Sequence, residues 1–277
     1  MSTLGFDERR DEECTKLEER PHDRITFASI SANRLTLADL MRLVYIGISH
    51  HKKWVLATHN LHSLYLFPRL QLFREYFAAA EWVYIDGMSL VALARLYGRQ
   101  LNREHRVTFI DVTEPLMEAS AKNGWRIFYV GSDAKTALKG ITVLKERFPD
   151  LQIMTKSGYF NVERNGSENR AVLEAIALYQ PHVLMVGMGM PRQELWIYDN
   201  FPDITANVIL PCGAALEYVA GAVPTPPRWA GRLGLEWAFR LVSEPRRLAR
   251  RYLVEPWAIL GTLISDLAFK RRKQETN

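Results

Sequence analysis

The sequence predicts an α/β fold, a parallel sheet with helices on both faces, followed by a helical, basic C-terminal appendage. Three observations carry this prediction. Short apolar runs alternate with helix-period segments from residue 25 to about 221, the order that parallel strands and crossover helices require. The runs end in polar or glycine-rich loops: Thr58-His59-Asn60, Asp86-Gly87, Gly131-Ser132-Asp133 and Gly187-Met188-Gly189. Pro224-Thr225-Pro226-Pro227 then breaks the alternation, and arginines mixed with Trp and Leu follow it. The 277 residues therefore divide into a leader (1–24), an α/β domain (25–223) and an appendage (224–277).

The leader is rich in Glu, Asp, Arg and Lys, too poor in apolar groups to order itself. Ile25 to Ile30 reads as a first strand. Thr36 caps a helix from Leu37 to Val44. Lys53 to Ala57 is a second strand, and a helix from Leu61 to Arg74 follows. Trp82 to Ile85 is a buried strand that ends at Asp86. Leu90 to Gly98 is helical, and 102–110 is a loop with a short element. A helix beginning at Asp111-Val112-Thr113 runs to Asn123, where Gly124 stops it. Strands at 125–130, 151–156, 182–186 and 208–210 then alternate with helices at 134–148, 168–179, 191–200 and 213–220. This is a Rossmann-like arrangement, and its ligands are expected at the rim where the strands end.

Composition excludes several classes. Apolar residues make up 48% and charged residues 24%, the globular range. Residues 1–24 have no apolar core of the signal-peptide kind, and no uninterrupted apolar run is long enough to span a membrane. Cys14 and Cys212 are far apart and lack metal spacing, so both are expected as free thiols in a reducing compartment. His59, His62 and His105 are not spaced as metal ligands either; solvated or packing roles are expected. No GxxxxGK[ST] phosphate loop and no Asp-x-Asp pair is present. If the chain binds a nucleotide diphosphate, arginines and backbone amides must meet the charge, with Arg106 a candidate and the tail a second source.

Each rim loop has two readings. Asp86 can cap the following helix or act as a general base. Thr58 and Asn60 can hydrogen-bond a ligand or end a strand-to-helix turn. Gly131-Ser132-Asp133 suits a phosphate or ribose, and equally an ordinary turn. Gly187-Met188-Gly189-Met190-Pro191-Arg192-Gln193-Glu194 lets a ligand approach the backbone closely. It falls short of a dinucleotide fingerprint because Arg192 stands where a small residue is needed. That gap disfavours a dinucleotide-dependent oxidoreductase. A non-catalytic binder of lipid-linked sugars is another class these loops allow.

The net charge of +5 gathers toward the C-terminus. Arg228, Arg232, Arg240, Arg246, Arg247, Arg250 and Arg251 alternate there with Trp229, Leu233, Trp237, Phe239, Leu248 and Tyr252. Such a mixture fits helices lying on an anionic membrane surface. The alternative is a pair of helices packed on the α/β core with a solvated basic face. Nucleic-acid binding is disfavoured, because this Trp and Leu content suits lipid better than a phosphate backbone.

In this order and spacing the motifs resemble the WecG/TagA/CpsF family of bacterial glycosyltransferases, to which GumM-type glucosyltransferases also belong. They are Thr58-x-Asn60, Asp86-Gly87-Met88, Arg106-x-Thr108 with Asp111, Gly158-Tyr159-Phe160, Gly187-x-Gly189-x-Pro191-x-Gln193-Glu194, and the Arg-rich stretch from Leu235 to Tyr252. The resemblance implies an inverting, metal-independent transferase that uses no cofactor. It would move a hexose or N-acetylhexosamine from a donor of the UDP-glucose or UDP-N-acetylmannosamine class. The acceptor would be a polyprenyl-diphosphate-linked sugar in exopolysaccharide or envelope glycan synthesis. The enzyme would sit peripherally on the cytoplasmic face of the inner membrane; a homo-oligomer is neither required nor excluded. Asp86 would be the base, with Thr58 and Asn60 positioning substrate beside it. Arg106, Thr108, Asp111 and the loop carrying Gly187, Gly189, Gln193 and Glu194 would line the donor pocket. The C-terminal arginines would meet the lipid diphosphate and the membrane. Phe109, Leu216-Glu217 and Thr225 depart from the family's usual Gly, Phe-Asp and Arg, and the first two would reshape the sugar pocket.

Overall fold

The computed structural model describes residues 24–225, 236–261 and 263. The leader expected at 1–24 lies outside the described residues but for Arg24, which opens a strand.

The first strand read from the sequence is a β-hairpin. β1 (Arg24–Phe27) turns through Ala28 and Ser29 into antiparallel β2 (Ile30–Asn33). Both turn residues have positive φ, 46° and 69°. Hairpin turns of that hand normally carry Asn-Gly or Asp-Gly, and Ala-Ser is no such turn signal. The hairpin forms its own two-stranded sheet and braces the larger one, where Asn33 Oδ1 accepts from the Val83 amide at 2.9 Å.

α1 (Leu37–Ser49) begins at the expected Thr36 cap. The Thr36 hydroxyl accepts from the Asp39 amide, and the Asp39 carboxylate accepts from the Thr36 amide at 3.0 Å, a reciprocal box. β3 (Trp54–His59) follows. The helix expected from 61 to 74 is two helices, α2 (Leu61–Leu66) and α3 (Gln71–Ala79). Pro68 separates them, since it lacks the amide a continuous helix would use and clashes with the turn before it. β4 (Trp82–Ile85), α4 (Met88–Leu96) and α5 (Phe109–Asn123) come next. The remaining elements are β5 (Arg126–Gly131), α6 (Ala134–Arg147), β6 (Gln152–Lys156), α7 (Ser167–Tyr179), β7 (Val183–Gly187), α8 (Arg192–Asn200), β8 (Val208–Pro211) and α9 (Ala215–Val219).

Six of these strands form one parallel sheet in the order β4-β3-β8-β7-β5-β6. Residues alternate between its faces. Ile127, Tyr129, Val183 and Met185 join Leu40, Leu116 and Leu144 of α1, α5 and α6 on one side. Phe128, Val130, Leu184 and Val186 join Phe73, Val91, Ile176 and Trp196 of α3, α4, α7 and α8 on the other. A sheet covered on both faces explains why the strands read as unbroken apolar runs.

The C-terminal segment contains α10 (Glu236–Ser243), α11 (Pro245–Ala249) and a π-helical turn, Arg250–Val254. Leu248 and Ile259 are buried, and Ile259 joins the cluster under β4 and α3. The segment is thus seated on the α/β core.

Candidate active site

All six strands of the large sheet run the same way, so their C-terminal loops share one rim. A cavity of about 510 Å³ opens along it. Its wall takes Thr58 and Asn60 from the end of β3, Asp86 after β4, Ser132 after β5, and Gly158 and Tyr159 after β6. Gly187 to Met190 come from the end of β7, and Cys212 to Ala215 with Glu217 follow β8. The C-terminal segment closes one side with Arg240, Leu248, Arg250, Arg251 and Glu255.

Asp86 sits half-buried at the end of β4, its amide donating to His59 O at 2.8 Å across the sheet. Gly87 follows with φ 103°, a backbone conformation that lets α4 start without bending the carboxylate off the rim. Gly87, rather than Asp86, is the N-cap residue of α4. The negative charge of Asp86 acts on the guanidinium groups of Arg240 and Arg251. Burial opposes the charge of Arg240, yet Tyr218, Tyr252, Asp86 and Glu244 more than offset it and raise its pKa. Burial, together with repulsion from Arg240, lowers that of Arg251. Tyr84, beneath Asp86, is held as a neutral phenol by burial and by the Asp86 charge, with its hydroxyl against Thr58.

Asn60 serves both of its readings. Its side chain caps α2 by accepting from the Ser63 amide at 3.0 Å, and it also lines the cavity. The loops after β5 and β7 approach so closely that only glycine fits. A Cβ on Gly131 would lie 2.5 Å from Gly187 O, and one on Gly187 would lie 2.5 Å from Gly213 O. Gln193 ties the next layer together, with Oε1 accepting from the Gly189 amide at 3.1 Å and the Gly213 amide at 3.2 Å. Backbone amides of two loops are thereby held at the cavity floor.

Three of the residues read from the sequence do not line the cavity. Arg106 and Asp111 pair with each other at 3.1 Å, and Asp111 also accepts from the Thr108 hydroxyl at 2.7 Å. Asp111 therefore fastens the first turn of α5 from outside, while the Thr108 it holds does reach the cavity wall. Glu194 is turned away from it by the helix. α8 lies against α3, so the residue after the loop-facing Gln193 points inward, where Tyr76 of α3 feels its charge. Its Oε1 accepts from Gln193 Nε2 at 2.8 Å, and its Oε2 is buried with no partner among the described residues. Burial raises its pKa to about 7.

Of the seven tail arginines, Arg240, Arg250 and Arg251 line the cavity and Arg246 is exposed. Arg228, Arg232 and the Arg247 side chain lie outside the described residues. Sequence reasoning missed His62 and Glu255, whose Nδ1 and Oε2 meet at 2.6 Å and join α2 to the C-terminal segment beside the cavity. A contact across 193 residues leaves no local pattern to read. Burial, and then the Arg251 charge, lowers the His62 pKa despite that carboxylate. Glu217 was visible only as a departure from the family motif. Among the described residues no group of His, Cys, Asp and Glu is arranged to hold a metal ion.

A Rossmann-like sheet with a rim carboxylate, loop amides and inward arginines defines an α/β enzyme that handles anionic ligands. The chain belongs to the Glycosyl transferase WecG/TagA/CpsF family, whose profile matches residues 25–274. It is a glycosyltransferase. Similar proteins include the N-acetylglucosaminyldiphosphoundecaprenol N-acetyl-beta-D-mannosaminyltransferases of Staphylococcus aureus strains MW2, NCTC 8325 / PS 47 and COL. Each is 26% identical over 180 residues, covering 65% of this chain and 68% of the relative.

Proposed function

We propose that this chain is an inverting transferase that moves a hexose or N-acetylhexosamine from a UDP-sugar to a polyprenyl-diphosphate-linked sugar at the cytoplasmic face of the membrane. The observation that carries the reading is the meeting of Asp86 with Arg240, Arg250 and Arg251 in one rim cavity. Asp86 takes the proton of the acceptor hydroxyl. The hydroxyl oxygen attacks the anomeric carbon from the face opposite the leaving group. The bond from that carbon to the β-phosphate oxygen breaks, and its electron pair leaves on UDP. Thr58 and Asn60 hold substrate hydroxyls beside Asp86. Gln193 holds the loops after β7 and β8 in place, and the tail guanidiniums meet the charge that develops on the diphosphate, without a metal ion. Arg106 and Asp111 support this site from behind by fixing Thr108. Glu194 supports it by fixing Gln193.

Membrane attachment has its own support. No helix among the described residues is long and apolar enough to cross a membrane. Trp237, Val242, Leu253, Val254, Trp257 and Leu260 are nevertheless exposed on the C-terminal segment, near Arg246 and Arg250. This combination suits an interfacial position on anionic lipid. The name of the relatives suggests N-acetylmannosamine as the transferred sugar, a choice that Phe109 and Glu217 at the cavity wall could alter.

The decisive experiment is Asp86→Asn. Turnover on a lipid-linked acceptor should fall by about 10²–10⁴, the usual contribution of a general base. UDP affinity by calorimetry should be unchanged. Turnover at the wild-type rate would take Asp86 out of the mechanism.

A further inference from the structure

The reaction above uses Asp86 and leaves two other carboxylates of the cavity idle; Glu255 is taken by His62, and Glu217 is not. Glu217, on α9, lines the wall near Ser132, whereas Asp86 stands at the end of β4. In the strand order β4 and β5 are four steps apart, on the order of 19 Å along the rim. Glu217 Oε1 accepts from Ser132 Oγ at 3.3 Å, and Ser132 Oγ is 2.8 Å from the Tyr129 hydroxyl. Among the described residues no cation pairs with Glu217 and no group donates to its Oε2. A half-buried carboxylate without a counter-ion repels phosphate and accepts strong hydrogen bonds from hydroxyls. Its natural ligand is therefore an uncharged polyol.

The topology points to the same place. The chain leaves β5 toward β6 and leaves β7 toward β8, in opposite directions across the sheet. Ligands of open parallel sheets settle in the crevice outside such a reversal. Gly131 and Gly187 let β5, β7 and the Tyr129 side chain pack tightly beneath that crevice, and Gly187 and Gly158 line it. Tyr159, 78% exposed at the cavity lip, offers an aromatic face there, and the Glu217 charge acts on the Tyr129 phenol beside it.

We propose that Glu217 is the receptor for a vicinal diol of the donor. Its two oxygens accept from neighbouring hydroxyls over the β5–β7 crevice, while the diphosphate runs along the rim toward Asp86 and the tail arginines. This rests on the UDP-sugar reading above. The diol can be that of the ribose or that of the transferred hexose.

Calorimetry on the full chain separates these sources. Wild type and Glu217→Gln are titrated with UDP, 2′,3′-dideoxy-UDP, UDP-glucose and UDP-N-acetylmannosamine. If the ribose is held, wild type binds dideoxy-UDP about tenfold more weakly than UDP, and the variant loses about tenfold for UDP and no longer distinguishes the two. If the hexose is held, UDP affinity is unchanged and the variant loses about tenfold for the UDP-sugars alone. Equal affinities throughout, in wild type and variant, would overturn the proposal while leaving the transferase reading intact. Should the variant fail to fold, equal binding of UDP and dideoxy-UDP by wild type removes the ribose, and equal binding of UDP and the UDP-sugars removes the hexose. Absence of any UDP binding by wild type would remove the transferase reading and this inference with it.

Discussion

The rim of the sheet and the C-terminal segment build opposite walls of one cavity by different means. At the rim, function sits on backbone that cannot move far. Glycines pass at distances that admit no Cβ, Gln193 holds two loops, and Asp86 is hydrogen-bonded to the neighbouring strand. The C-terminal segment supplies charge through side chains on helices with few buried anchors, chiefly Leu248, Glu255 and Ile259. Its other face leaves Trp237 and Trp257 in solvent, 45% and 72% exposed. The rim is preorganised to place atoms; the segment is placed to neutralise charge and to meet a second surface.

Arg251→Ala should cost the most. If the segment contributes to chemistry as well as attachment, turnover should fall by about 10²-fold even on a short, soluble acceptor diphosphate, the usual size for loss of a charge-stabilising donor. Wild-type turnover on that acceptor would reduce the segment to an anchor. The lipid-facing side is tested by its exposed tryptophans. Trp257→Glu should weaken sedimentation with anionic vesicles by about tenfold and leave turnover on the soluble acceptor unchanged. Equal sedimentation would mean that the exposed apolar face serves another partner.

The smallest effect concerns the ground between the two regions, where Glu194 lies. Its pKa of about 7 in the folded chain exceeds the ordinary 4.5, so between those values the folded state keeps a proton that the unfolded chain has released. Stability should therefore fall as pH rises from about 4.5 to 7 and stay low above it, by on the order of 3 kcal/mol. Glu194→Gln keeps an acceptor for Gln193 Nε2 and carries no charge. Its melting temperature should exceed wild type by several degrees at pH 8 and match it near pH 5. Parallel pH profiles for the two proteins would show that Glu194 is not buried as a neutral acid.

Legibility in the sequence followed the range of the interactions. The Thr36 cap, the apolar runs of the strands, the breaks at Gly124 and the polar loops are written in neighbouring residues, and the structure has them there. The hairpin at Ala28-Ser29 was hidden because neither residue announces a positive φ. The split between α2 and α3 was signalled by Pro68 but lost within an apolar, helix-period stretch. Asp86, Thr58, Asn60 and Gln193 could be found because a strand end fixes which residues stand at the rim. Glu194 could not be separated from Gln193, since one step along a helix turns a side chain by about 100° and only the neighbouring helix decides which direction is inside.

By itself, the sequence determined the alternation of strand and helix, the parallel sense that follows from it, and the carboxylate at the end of β4. These depend on local periodicity and capping, which a few adjacent residues complete. The tertiary structure alone decided the strand order, the closeness of Gly131, Gly187 and Gly213, the inward aim of Arg240 and Arg251, and the bond between His62 and Glu255. Those are contacts between distant parts of the chain, fixed by which apolar faces bury each other, and no short stretch of residues encodes them.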